Sequence, residues 1–573
     1  MTRRSKLVIL ILFLAFFIIV LPMLALFGLF RDGFEFEGGG KVVVVDVYGS
    51  LLEYSPYLSP NIFFGKREPT LTEIIACIDH AAGDDQVEAL VLKISGSGAG
   101  AAKCEEMRSA VQHFRAAGKR VVAFSPVLVN YHYLLACAAD SVFMPPSGYL
   151  MIPGPASSSM HVRGMLDKLG IRPNIDRIGD YKSAAELFTE ERSTPPVREM
   201  RHRLLTDMYD RFVATIAEER SADEETVLGW IDRAVFSPRR ASGAGLIDGV
   251  KYWDQIDGMF EDSGLGAVSM RDYMRSSGVM RAAPLVQGVA VIHAQGTIVA
   301  GESGYGFGEG PTAGSATLVR ELRRARESER IKAVVLRVDS PGGDGLAGDM
   351  VSREIELTAR EKPVVVSMSD VAASGGYEIS YRADRIVALP GTITGSIGSI
   401  TGKFNLRGFY DKIGLTKDEM GLGENSLIYS DYRDFSEEEW KIVREEHRAF
   451  YENWIEEIAR FREMRVGEVD SLAGGRVWTG AQAKEHGLID EIGGFDRALE
   501  IACELAGIDD PSRVEIVHLP RRLTLLQSIL SGSLFEDSLA RLLRGTLTKQ
   551  LGDMRGIFLW RVLQGAQPGR TAP

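Results

Sequence analysis

The feature that most restricts how this chain can fold is that most of it is written twice. Val42 to Gly49 (Val-Val-Val-Val-Asp-Val-Tyr-Gly) matches Val289 to Gly296 (Val-Ala-Val-Ile-His-Ala-Gln-Gly). Ala89-Leu-Val-Leu-Lys-Ile94 returns 244 residues later as Ala333-Val-Val-Leu-Arg-Val338, and the same spacing links Ala139-Asp140 to Ala383-Asp384 and Gly154 to Gly398. Gly245-Leu-Ile-Asp248 returns as Gly487-Leu-Ile-Asp490 at a spacing of 242, so the second copy has lost two residues in between. At 573 residues the chain has room for both units as separate domains.

Within each copy, short β-branched runs alternate with helical stretches, the pattern of an α/β fold whose parallel sheet is connected by crossover helices. A long helix follows in each. The first opens at Thr194-Pro195-Pro196, with proline in the first turn, and the second at Ser436-Glu-Glu-Glu439, a capping box. The first copy is expected over residues 40–270 and the second over 285–508. A polar joint near Arg271 to Ala283 separates them, and a distinct tail fills 509–573.

Duplication allows equivalent positions to be compared inside one chain. In Ser367-Met-Ser-Asp-Val-Ala-Ala-Ser374-Gly375-Gly376-Tyr377, Val364 to Val366 reads as a buried strand and Gly376 to Arg382 as a helix. Ser374 then sits at a strand-to-helix turn, where backbone N–H groups favour negative charge, a setting suited to a nucleophile attacking a carbonyl. Taken alone, Ser-Gly-Gly is more commonly an ordinary serine N-cap. The first copy has Asn130 at the equivalent position and so lacks the hydroxyl.

Asp339-Ser-Pro-Gly342-Gly343 corresponds to Gly98-Ala99 in the first copy. Paired glycines after a buried strand let backbone amides approach a ligand, although a tight turn needs the same residues. Lys182, in Gly179-Asp-Tyr-Lys182-Ser-Ala, faces Glu424 to Ser426, where no lysine occurs. A lone lysine is ordinarily a solvated charge. Here, however, one copy keeps the serine and the other the lysine, which is what a single site shared between the copies would leave behind. Neutral lysine can take the proton of a serine hydroxyl once burial lowers its pKa, toward roughly 7 to 8 in enzymes. The Gly343 and Gly375 amides are the candidate oxyanion donors. Ser396, in Gly395-Ser-Ile-Gly398, either hydrogen-bonds the lysine amine or caps a helix.

With Asp-Tyr-Lys182-Ser-Ala-Ala-Glu, Asp-Ser-Pro-Gly342-Gly343, Ala-Ser374-Gly-Gly-Tyr, Gly-Ser396-Ile-Gly and the paired Gly-Leu-Ile-Asp segments in this order, the chain resembles the signal peptide peptidase A family in its long, duplicated form (protease IV). The resemblance implies a tandem Clp-protease/crotonase-like fold and a Ser/Lys dyad, with Ser374 as nucleophile and Lys182 as general base. It also implies a homo-oligomer, a bowl-shaped tetramer anchored to the inner membrane, that degrades signal peptides left after preprotein processing. Two positions depart from the pattern: Asp344 stands where a small hydroxyl residue is expected, and Leu187 where a proline is.

The two ends carry separate signals. Leu7 to Phe30 is free of charge behind Arg3, Arg4 and Lys6, and 24 helical residues exceed the roughly 30 Å hydrocarbon core. An uncleaved transmembrane signal anchor is expected there. It would have its N-terminus in the cytoplasm of a bacterium and the catalytic part in the periplasm. Leu523 to Leu530, Leu539 to Leu543 and Ile557 to Leu563 read as helices lying on a protein or membrane surface. A net charge of −12 argues against a nucleic-acid partner, and four scattered cysteines with dispersed histidines signal no metal or organic cofactor. Three other readings remain. They are a crotonase-type acyl-thioester enzyme, a non-catalytic membrane-anchored scaffold, and a Ser-His-Asp site with His293 or His486 as base, neither of which has an evident acidic orienter.

Overall fold

The computed structural model describes residues 40–55, 68–277, 287–306, 310–508 and 514–521. Each copy lays six parallel strands in the same order, and in the second copy Ile393–Gly395 and the antiparallel Val477–Thr479 extend the sheet to eight strands. In the first the order is Gly266–Ser269, Lys41–Gly49, Val87–Ser97, Arg120–Phe124, Ser141–Met144 and Gly249–Val250. In the second it is Glu515–Leu519, Gly288–Gln295, Ile331–Ser340, Val364–Ala373, Arg385–Ala388 and Glu491–Ile492. The central strands are buried along nearly their whole length, as a sheet covered on both faces requires, and this is why they read as continuous aliphatic runs.

The repeated motifs make the same bonds twice. Asp140 accepts from the Val121 N–H and Asp384 from the Val364 N–H, each at 2.8 Å. Asp248 binds the Val142 N–H and Arg220, and Asp490 binds the Ile386 N–H and Arg462. The Tyr133 hydroxyl donates to the Leu246 carbonyl and the Tyr377 hydroxyl to that of Leu488. Gly-Leu-Ile-Asp, which leads into each sheet's last strand, is thus braced to the neighbouring strand, to a buried tyrosine and to an arginine at the C-terminal end of the long helix.

Several expected boundaries shift. The second sheet takes in Glu515–Leu519, beyond the 508 boundary, because this strand is the counterpart of Gly266–Ser269. The strand before Ser374 runs to Ala373, and the helix after it is the single turn Gly375–Glu378. There the Ser380 hydroxyl bonds the Gly376 carbonyl as the chain turns back toward Arg385. The expected joint begins with the helix Met270–Ser276, and residues 278–286 lie outside the described residues. So do Leu7 to Phe30 and the three apolar patches of the tail. Among the described residues no helix is long and apolar enough to cross a membrane.

The copies are joined along a strand pair and, among other contacts, through a buried ion-pair cluster. Arg172–Arg177 of the first pairs antiparallel with Ile400–Asn405 of the second, from Arg177 opposite Ile400 to Arg172 opposite Asn405. Deeper, Arg337 of the second sheet is 2% exposed and binds Glu53, Glu106 and Ser367, the two carboxylates coming from the first copy. Burial alone would raise the Glu53 carboxyl, but Arg337 and Lys103 hold it below the usual range. Replacing Arg337 with alanine would leave two buried carboxylates without their guanidinium. The Arg337→Ala protein should therefore lose about 3–5 kcal/mol of unfolding free energy in a urea titration. A change within about 0.5 kcal/mol, typical of a surface site, would contradict that role.

Candidate active site

Ser374 stands at the end of the strand Val364–Ala373 with φ 55° and ψ −119°, a conformation that L residues seldom adopt. The turn is held from both sides: the Ser374 N–H donates to the Gly395 carbonyl, and the N–H groups of Tyr377 and Glu378 return to the Ser374 carbonyl. Asn130 keeps a positive φ of 26° at the equivalent turn, but its side chain is tied to both the N–H and the carbonyl of Gly154. The first copy has kept the backbone device and lost the reactive group.

Lys182 reaches Ser374 by way of the inter-repeat strand pair. Beyond Arg177 the chain continues beside the second copy, with the Ile178 N–H on the Ser399 carbonyl and the Tyr181 N–H on that of Gly474. The approach is so close that a Cβ on Gly475 would lie 2.5 Å from the Lys182 Cα, and one on Gly179 would lie 2.2 Å from Gly474. The Lys182 Nζ is then 2.9 Å from the Ser374 Oγ, 2.8 Å from the Ser396 carbonyl and 3.1 Å from the Ser396 Oγ. A neutral amine has two N–H donors and one lone pair. With the donors spent on Ser396, the lone pair faces the Ser374 hydroxyl.

Burial lowers Lys182 to about 8, against a weak opposing pull from Glu378. Glu378 lines the same cleft and is itself pushed up to about 8, first by burial and then by Asp349, with Arg382 and Lys182 pulling the other way. The glycines stand opposite. Gly342 and Gly343 have φ of 103° and 157°, and a Cβ on Gly343 would strike the Ile298 carbonyl at 2.1 Å. The Gly343 nitrogen lies against Gly375, and neither amide has an acceptor among the described residues. Asp344, one of the two departures from the family pattern, caps the helix Gly345–Ala359 by accepting from the Ala347 N–H.

Ser374, Lys182, Gly343, Gly375 and Ser396 all line one cleft of about 690 Å³, while Gly342 backs it. The histidines weighed as bases lie elsewhere. His293 contacts His518 and Tyr54, and His486 packs edge-on against Trp478. His447 is the histidine at the cleft, bonded to Ser399 on one ring nitrogen and to Asp176 on the other. No short-range pattern marks it, because its partners lie 48 and 271 residues away.

A family model described as "Peptidase family S49" matches residues 113–263 and 356–509. Among curated proteins, the chain is 34% identical to "Serine protease SPPA, chloroplastic" of Arabidopsis thaliana, over 86% of this chain and 73% of that one. It is 31% identical to "Protease 4" of Haemophilus influenzae, over 77% and 73%, and 30% identical to "Protease 4" of Salmonella typhi, over 79% and 76%.

If neutral Lys182 takes the proton of Ser374, acylation of Ser374 by a fluorophosphonate should rise with pH through a limb near about 8. A Glu378 carboxylate favours charged Lys182, so Glu378→Gln should move that limb to lower pH. A limb that moved upward, measured by labelling rate against pH, would contradict the arrangement.

Proposed function

We propose that this chain, which belongs to peptidase family S49 and is a serine protease, cleaves peptide bonds with a dyad in which Ser374 is the nucleophile and Lys182 the general base. Lys182 takes the proton as the Ser374 Oγ adds to the scissile carbonyl, and the Gly343 and Gly375 N–H groups receive the oxyanion. Lys182 then protonates the departing amine. Water attacks the acyl-serine, giving its proton to the same lysine, and the serine hydroxyl is restored. The observation that carries this reading is the 2.9 Å contact between amine and hydroxyl in a pocket that lowers the amine to about 8. Gly342 shapes the turn that presents Gly343, and Ser396 orients the amine.

The walls of the cleft, where Leu346, Ile400, Tyr429, Ile442 and Phe450 stay substantially exposed, support the substrate class. Such walls suit extended hydrophobic peptides, of which cleaved signal peptides are the class proposed. The uncharged Leu7 to Phe30 behind Arg3, Arg4 and Lys6 supports a single-pass anchor in a bacterial inner membrane, with the catalytic part in the periplasm. The repeated strand order is in keeping with a Clp-protease/crotonase-like unit, and the motif resemblance supports a homo-oligomer, specifically a tetramer.

Ser374→Ala and Lys182→Ala should each lower kcat/KM on a hydrophobic peptide by at least ~10³-fold while the protein keeps its melting temperature within a few degrees. Near-normal turnover in either variant would refute the dyad. An acyl-thioester enzyme working without a nucleophile would leave Ser374 unlabelled by fluorophosphonate, and a scaffold would show no turnover at all.

A further inference from the structure

We propose that Ser399, His447 and Asp176 form a second hydroxyl-activating triad in the wall of the same cleft, competent to accept acyl groups from esters. The His447 Nδ1 lies 2.8 Å from the Asp176 carboxylate, and its Nε2 lies 2.7 Å from the Ser399 Oγ. This is the polarity a serine-activating histidine requires. A carboxylate accepting from Nδ1–H leaves the lone pair on Nε2, which takes the hydroxyl proton. His447 is 7% exposed, so the ring is fixed, while Ser399 is half-buried and both line the cleft.

The three residues converge through the same inter-repeat pairing that positions Lys182. Asp176 sits on the first copy's strand opposite Thr401, Ser399 directly precedes the partner strand, and His447 lies on the helix Glu437–Phe461 that covers the pair. Arg444 of that helix also reaches Asp176, at 3.4 Å, and helps keep its carboxylate in place. A hydrogen-bond chain that served packing alone would have no need to end on a serine open to the cleft.

What Ser399 lacks decides its chemistry. No paired glycine amides flank it, and each such donor is worth about 10²–10³ in rate for acyl transfer. Activated esters, whose leaving groups depart readily, tolerate that loss better than amides, and the apolar walls suit an aliphatic acyl group. In the proposed step the Ser399 Oγ–acyl bond forms as the ester C–O bond breaks, and the serine proton passes through the His447 Nε2 to the leaving oxygen. Water then attacks the acyl-serine, His447 takes its proton and returns it to the Ser399 Oγ, and a carboxylic acid leaves.

The test uses the full chain carrying Ser374→Ala, so that the peptidase nucleophile is absent. Fluorophosphonate treatment followed by peptide mass mapping should find the adduct on Ser399. Hydrolysis of p-nitrophenyl butyrate by this protein should fall at least 10-fold when Ser399→Ala is added. His447→Gln in the same background should abolish the adduct, with the melting temperature recorded to show that the chain is folded. No adduct on Ser399, an adduct that survives His447→Gln in folded protein, or ester hydrolysis indifferent to Ser399→Ala would each overturn the proposal. None of these outcomes bears on Ser374, whose role is read from peptide cleavage with Ser399 intact.

Discussion

The structure depends on one piece of backbone pairing, the antiparallel ladder between Arg172–Arg177 of the first copy and Ile400–Asn405 of the second. It sets where Lys182 emerges, and a slip of one residue would turn every side chain of the strand to the opposite face. Beyond the ladder the backbones of the two copies run so close that only glycine fits at Gly179 and Gly475, both in the left-handed region. The lysine is therefore delivered by main-chain geometry, with its own flexible side chain adding only the last few ångströms. The buried Arg337 cluster holds the two sheets at the separation this geometry needs.

The site holds two unfavourable features in place. Ser374 has a backbone conformation that costs on the order of 1–3 kcal/mol, held by its hydrogen bonds to Gly395, Tyr377 and Glu378. Lys182 is lowered from 10.5 to about 8 by burial, which amounts to about 3 kcal/mol against the folded state at neutral pH. Below about pH 8 both the folded and the unfolded lysine are protonated and the penalty is full; between about 8 and 10.5 the unfolded lysine keeps a proton that the folded one has lost, so the penalty fades as pH rises through that window. A solvated lysine would avoid this cost and would be too fully protonated to accept the serine's proton. The rest of the chain supplies the stability that the pocket consumes.

Much of this is legible in the sequence because duplication supplies an internal control. Serine in one copy and lysine in the other point to a shared centre, and the structure brings Ser374, Lys182, Ser396 and the glycines around one cleft. The strand Glu515–Leu519 is hidden in the sequence because its counterpart, Gly-Ala-Val-Ser at 266–269, is short and resembles it only in paired register. The helix after Ser374 reads too long because its apolar residues continue while the backbone turns away after Glu378. His447 is invisible for another reason: Asp176 and Ser399 come to it only through the inter-repeat ladder, so the grouping exists in three dimensions and in no local pattern.

The proposed pairing of Ser374 from one copy with Lys182 from the other, within one chain, is tested most directly by mixing. Chains carrying Ser374→Ala are unfolded and refolded together with chains carrying Lys182→Ala, and peptide cleavage is measured on the mixture. Because serine and lysine must come from the same chain, the mixture should be as inactive as either variant alone. Recovery of cleavage on mixing would mean that the two groups meet across separate chains, which contradicts a centre completed within one.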